Sequence, residues 1–138
     1  MGYFIQTVTD AAGVIGSCFS ELFGPWSAGM TTLALFLAAD FFAGRVVALV
    51  FKKPRKSGTG EAAASLKALL RKLAKLLLVI VARRLDLLIG ASYCRDATVI
   101  ALCLGETVSI IENVALMGVP IPEPIRKSIA RLRKTDGQ

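Results

Sequence analysis

The 138-residue chain is 54% hydrophobic, has a positive mean hydropathy and contains no histidine, which leaves room for one domain. Its charge is segregated rather than spread over a surface: Lys52, Lys53, Arg55, Lys56, Lys67, Arg71, Lys72 and Lys75 stand against Glu61 alone, giving +7, the whole formal net charge. Blocks of cations between long apolar runs exclude an ordinary soluble surface, and the lack of interleaved aromatics argues against a nucleic-acid partner.

Residues 1–24 are moderately apolar, carry Asp10 and Glu21, and precede the first cation, Arg45. Without the basic start of a secretory signal, no cleavage is expected. The stretch reads as an N-terminal apolar helix, interfacial or partly inserted, with a full crossing as the alternative. Residues 25–51 form the expected first transmembrane helix, since Ala28 to Phe51 at about 1.5 Å per residue reaches ~36 Å against a ~30 Å hydrocarbon core. Gly24 and Pro25 precede it, Trp26 suits the interface, and Lys52, Lys53 and Pro54 close it. Asp40, Gly44 and Ala48, at i, i+4 and i+8, put a carboxylate and two small residues on one face. That face packs either between subunits, as an oligomer interface, or within the chain.

Residues 52–75 read as a basic loop and amphipathic helix. Leu66, Leu69, Leu70, Leu73 and Leu77 recur at helical spacing, with Lys67, Arg71, Lys72 and Lys75 mostly opposite. Together with Lys52 and Lys53 these cations are expected against anionic headgroups of the bilayer, the lipid partner of the chain. Residues 76–93 form the expected second transmembrane helix despite Arg83, Arg84 and Asp86. Three such residues oppose insertion by about 2.5 to 3.5 kcal/mol each near the bilayer centre. Arg83 and Asp86 at i, i+3 form the expected intramembrane ion pair, with Arg84 beside it.

Residues 97–119 form the third expected transmembrane helix. Glu106, Ser109 and Asn113 follow i, i+3, i+7 as one polar stripe, flanked by Glu112. The stripe either faces water in an assembled lesion, pairs with Arg83 or Arg84, or forms a buried network. Residues 120–138 are a Pro-rich turn and basic C-terminal helix. The fold class is therefore all-α and membrane-integral: three transmembrane helices, an N-terminal apolar helix and basic amphipathic helices. If 76–93 crosses, both basic blocks share one side, which the positive-inside rule makes cytoplasmic, C-terminus included.

Cys18, Cys94 and Cys103 show no CxxC spacing, so no metal or other cofactor is expected. Nor is an enzyme expected: the thiols have no histidine base, and Glu106 and Glu112 lie about 120° apart on a helix.

Several stretches resemble the phage lysis and toxin-secretion holin family (phage holin family 4), in the family's order. They are Asp40-Phe41-Phe42-Ala43-Gly44, the basic lead-in Ser65 to Lys72, Leu85-Asp86-Leu87-Leu88-Ile89-Gly90, and Ser109-Ile110-Ile111-Glu112-Asn113 followed by Gly118-Val119-Pro120-Ile121-Pro122. Glu112, Gly118, Pro120 and Pro122 belong to that closing signature; Arg83, Arg84 and Pro25 depart from the pattern. The resemblance implies a pore-forming protein of the bacterial inner membrane that homo-oligomerises into lesions and releases an endolysin or a large toxin. A membrane adaptor, an antiholin or a small transporter subunit is the alternative.

Overall fold

The computed structural model describes residues 1–51 and 61–135, which form five α-helices. These are α1 (Gly2–Phe23), α2 (Ala28–Leu49), α3 (Glu61–Ile89), α4 (Cys94–Leu116) and α5 (Glu123–Thr135). Lys52 and Lys53 lie outside the described residues.

Each break has a local cause. At Gly24 the backbone turns to φ 78°, and Pro25 prevents the helix from resuming directly. Ser27 then caps α2, its hydroxyl accepting from the Met30 amide at 3.3 Å. Gly90, at φ 67°, ends α3, and Gly118, at φ 89°, ends α4 ahead of Pro120 and Pro122. The start of α4 is capped from α3, because the Asp86 carboxylate accepts from the amides of Cys94 and Arg95, each at 2.9 Å. Asp86 therefore serves the backbone of the next helix, where the sequence suggested an ion pair with Arg83.

Helices α2 and α4 pack most extensively, and α3 lies along α4 with lesser contact to α2. Met30, Leu33, Leu37, Asp40, Gly44 and Val47 form the buried side of α2, three or four residues apart. Near the α2 N-terminus, Phe23, Met30, Leu33, Leu37, Val79 and Val99 make an apolar cluster. Helix α1 stands apart, exposed along its length except for Phe23. It is tied to the bundle at its end by Phe19 against Phe23 and Trp26, with ring centroids 4.4 and 5.6 Å apart, and by Glu21 to Arg84 at 3.5 Å.

Two helices, Ala28–Leu49 and Cys94–Leu116, are long and apolar enough to cross a bilayer, and only 28% and 17% of their most apolar windows are buried in the chain. A soluble core helix would bury far more of itself; these present leucines, valines and phenylalanines outward. The expected division of 52–75 from 76–93 is absent: α3 runs unbroken from Glu61 to Ile89. No glycine or proline interrupts it, so the basic amphipathic stretch and the apolar stretch become one helix too charged to meet the same criterion.

Asp86→Ala is expected to lower the thermal midpoint of the purified protein in detergent, because two amides, one buried and one partly buried, lose their acceptor. Asp86→Asn should fall between, keeping one acceptor oxygen, whereas Arg83→Gln should leave the α4 cap intact.

Candidate functional site

The residues singled out on the two apolar helices meet inside a single chain. Asp40 on α2 accepts at Oδ1 from Ser109 Oγ at 2.5 Å and from Asn113 Nδ2 at 2.9 Å, both on α4. Its Oδ2 accepts from Lys72 Nζ at 2.8 Å. The same ammonium donates to Glu106 Oε2 at 2.8 Å, and Lys75 Nζ donates to Glu106 Oε1. Two carboxylates thus face two ammonium groups in one network. Glu106 is 0% exposed, Asn113 3% and Asp40 4%.

The height of this network matters as much as its chemistry. At about 1.5 Å per residue, Asp40 lies about 18 Å from the start of α2 and about 14 Å from its end. Glu106 lies about 18 Å and about 15 Å from the two ends of α4. Both carboxylates therefore sit half-way along the apolar helices, where an unpaired charge is most unfavourable. Pairing with Lys72 and Lys75 neutralises them, and Ser109 and Asn113 fill the remaining acceptor capacity of Asp40.

Of the readings open for Glu106, Ser109 and Asn113, the single chain adopts the buried network: they share one side of α4, which faces α2 and α3. Their cationic partners are Lys72 and Lys75, not Arg83 or Arg84. Those two lysines, expected at headgroups, are drawn inward, with 13% and 36% of their side chains exposed. Lys67 and Arg71 are exposed. Asp40 and Gly44 pack within the chain, with Ala48 half-buried beside them. Lys72 and Lys75 were missed as partners because they belong to a run of similar cations. The available signal was numerical: two mid-span carboxylates need two cations.

At the other end, Arg95 on α4 is buried, donating from Nη2 to the Pro25 carbonyl at 2.9 Å and to Ser27 Oγ at 3.0 Å. It ties the α1–α2 corner to α4. A Cβ on Gly24 would lie 2.8 Å from Arg83 Nε and 2.9 Å from Arg95 Nη1, so the corner requires glycine both for its φ and for the room it leaves. Arg84 pairs with Glu21. Glu112 lies half-buried, lining an apolar groove with Ile111, Val119, Ile121 and Ile129; Pro120 is also in its wall, whereas Gly118 and Pro122 are exposed. Among the described residues, no group of three or more His, Cys, Asp or Glu is placed to hold a metal ion.

Glu106→Gln is expected to destabilise the folded chain by about 3–5 kcal/mol, the usual effect of removing one partner from a buried ion pair. Glu112→Gln should have a much smaller effect, since it leaves both lysines paired. Denaturant unfolding of the two variants in the same detergent checks the ranking, and equal losses would dissolve it.

Known proteins place the chain. Residues 17–134 match the bacteriophage holin family. The chain is 32% identical over 120 residues to an uncharacterised protein of Clostridium perfringens strain 13, covering 86% of this chain and 84% of that one. An uncharacterised 14.9 kDa protein from the nagH 3′ region of Clostridium perfringens is also 32% identical, over 86% of each chain. An uncharacterised protein of Listeria monocytogenes is 31% identical over 118 residues, covering 83% of this chain and 78% of that one. No solved structure matches the chain. With two apolar helices keyed together by buried polar groups and a family match across most of its length, the chain belongs to the bacteriophage holin family.

Proposed function

We propose that the chain acts as a holin in the bacterial inner membrane: it accumulates, associates with copies of itself and opens lesions that release an endolysin or a large toxin. The observation that carries this reading is the charged network half-way along two apolar helices. While the three helices are packed, the network is neutral and dry, and the chain is compatible with lipid. Once it opens, Glu106, Asp40 and the two lysines all gain by reaching water, so the groups that permit insertion also favour an aqueous lesion.

In this reading α3 crosses the membrane beside α2 and α4, its lysines tolerated there because they are paired. The start of α3 and α5 lie on the cytoplasmic side, and the α3–α4 turn outside. The amphipathic α1 lies on the outer interface, its apolar side, with Phe4, Val8, Ile15 and Leu22, resting on lipid.

Regulated expression is expected to collapse the membrane potential after a delay, because assembly depends on concentration. A potential-sensitive dye, read with and without a co-expressed endolysin, checks this. Full membrane accumulation without depolarisation would instead favour an adaptor or antiholin.

Topology is checked with cysteines placed at Ser92 or Ser128 after the native cysteines are replaced. An impermeant thiol reagent should label Ser92→Cys in intact cells and leave Ser128→Cys protected. Labelling of both would show that α4, which alone lies between the two positions, does not cross.

A further inference from the structure

The end of the bundle at the α1–α2 corner brings two guanidinium groups together, and one of them has no partner. A Cβ built on Gly24 would lie 2.8 Å from Arg83 Nε and 2.9 Å from Arg95 Nη1, so the two groups are neighbours across that glycine. Arg95 donates from Nη2 to the Pro25 carbonyl and to Ser27 Oγ, and its Nε stands 3.6 Å from Asp96 Oδ1. Arg83, by contrast, makes no hydrogen bond or ion pair among the described residues, and its Nε is enclosed without an acceptor. The carboxylates at this end are engaged elsewhere. Asp86 accepts from two amides, offsetting the charge of Arg83 through space without bonding to it, and Glu21 pairs with Arg84. A guanidinium cannot shed its charge, and half-buried N–H groups without acceptors are unfavourable. The terminal nitrogens of Arg83 and Nη1 of Arg95 are not sealed in, which leaves both side chains open to an acceptor that the chain does not supply.

Resting on the membrane topology proposed above, we propose that Arg83 and Arg95 hold the phosphate of an outer-leaflet phospholipid. The depth is given by the guanidinium atoms and not by the backbone of α3. They stand at Gly24 and at the Pro25 carbonyl, just before α2 begins, and Arg95 is the second residue of α4. Both spans therefore start at this level, with the exposed Trp26 beside it, which is the depth of headgroups and not of hydrocarbon. A charged Arg83 is thus compatible with a chain packed in lipid. Phosphate is the anion concentrated at that depth, and a phosphodiester offers two oxygens that share its negative charge to the fork of a guanidinium. Gly24 makes the arrangement possible, because any side chain there would meet both groups. With phosphate bound, Arg83 gains its acceptor, and the corner from which α1 departs is fastened to a lipid.

The test titrates the purified full chain in a neutral detergent and follows its thermal midpoint. The probes are dioctanoyl phosphatidylglycerol, dioctanoyl glycerol, which lacks the phosphate, and inorganic phosphate. Phosphatidylglycerol should raise the midpoint in a saturable manner, and the other two should leave it unchanged. Arg83→Gln should weaken the apparent affinity about tenfold, the usual effect of losing a hydrogen bond to a charged group. Arg83→Lys should fall between, keeping the charge without the fork, and Lys67→Gln, which removes an exposed cation near the start of α3, should bind as the wild type does. If Arg83→Gln does not fold, the wild type still decides: phosphatidylglycerol should protect Arg83 from an arginine-selective dicarbonyl reagent, read by mass spectrometry, and leave the exposed Arg71 reactive. Equal affinity in the wild type and Arg83→Gln, or equal reactivity of Arg83 with and without the lipid, overturns the inference. A rise with inorganic phosphate or with dioctanoyl glycerol at the same concentration overturns the lipid-phosphate assignment. These readouts involve no conductance, so their failure leaves the lesion reading standing, and a chain that binds the lipid without depolarising cells would fail that reading alone.

Discussion

The structure depends on one constraint: a carboxylate buried at the middle of an apolar helix must find cations at the same height. Glu106 is completely enclosed, and both of its oxygens are taken by ammonium groups from α3. That requirement sets the register of α3 against α4, and Lys72 passes it on to α2 through Asp40. The apolar contacts around Val79, Leu33 and Val99 tolerate small displacements; a hydrogen-bonded ion network does not. The polar residues therefore specify which faces meet, and the hydrophobic residues supply bulk contact on either side.

Such a network contributes little net stability, since desolvation opposes most of the Coulombic gain, and an apolar replacement of similar volume is often at least as stable. Its value lies in the difference between two states. Packed, it cancels charge and lets α3 stand beside the two apolar helices. Opened, the same groups are strongly hydrated. In the function proposed above, this difference would couple insertion to lesion formation through the same six side chains, Asp40, Lys72, Lys75, Glu106, Ser109 and Asn113.

Much of this was legible in the residues themselves. The start of α2 and both limits of α4 follow from Gly24-Pro25, from Gly90 and from Gly118 with its prolines, because the positive φ of those three glycines and the fixed φ of proline stop a helix there. The grouping of Glu106, Ser109 and Asn113 follows from 3.6-residue periodicity. What periodicity could not supply was the partner. Six cations on α3 look alike in one dimension, and only the antiparallel pairing of α3 with α4 selects Lys72 and Lys75. The same holds for Asp86, whose i, i+3 spacing to Arg83 suggests a local pair, whereas the short turn to α4 brings two unsatisfied amides within its reach. Local charge spacing on α3 suggested a surface segment followed by a span. The unbroken helix resolves this by pairing its inward lysines with buried carboxylates.

A double-mutant cycle across the Lys75–Glu106 contact, measured as unfolding free energy in one detergent, tests whether these side chains share one buried network. Glu106→Gln alone leaves the two lysines with a single carboxylate, and Lys75→Gln alone leaves the two carboxylates with a single lysine. Together they remove one charge of each sign and retain the Asp40–Lys72 pair. The double variant is expected to be markedly more stable than the sum of the single losses allows. Strictly additive losses would contradict it, because they would mean that the two side chains do not share one neutral buried network.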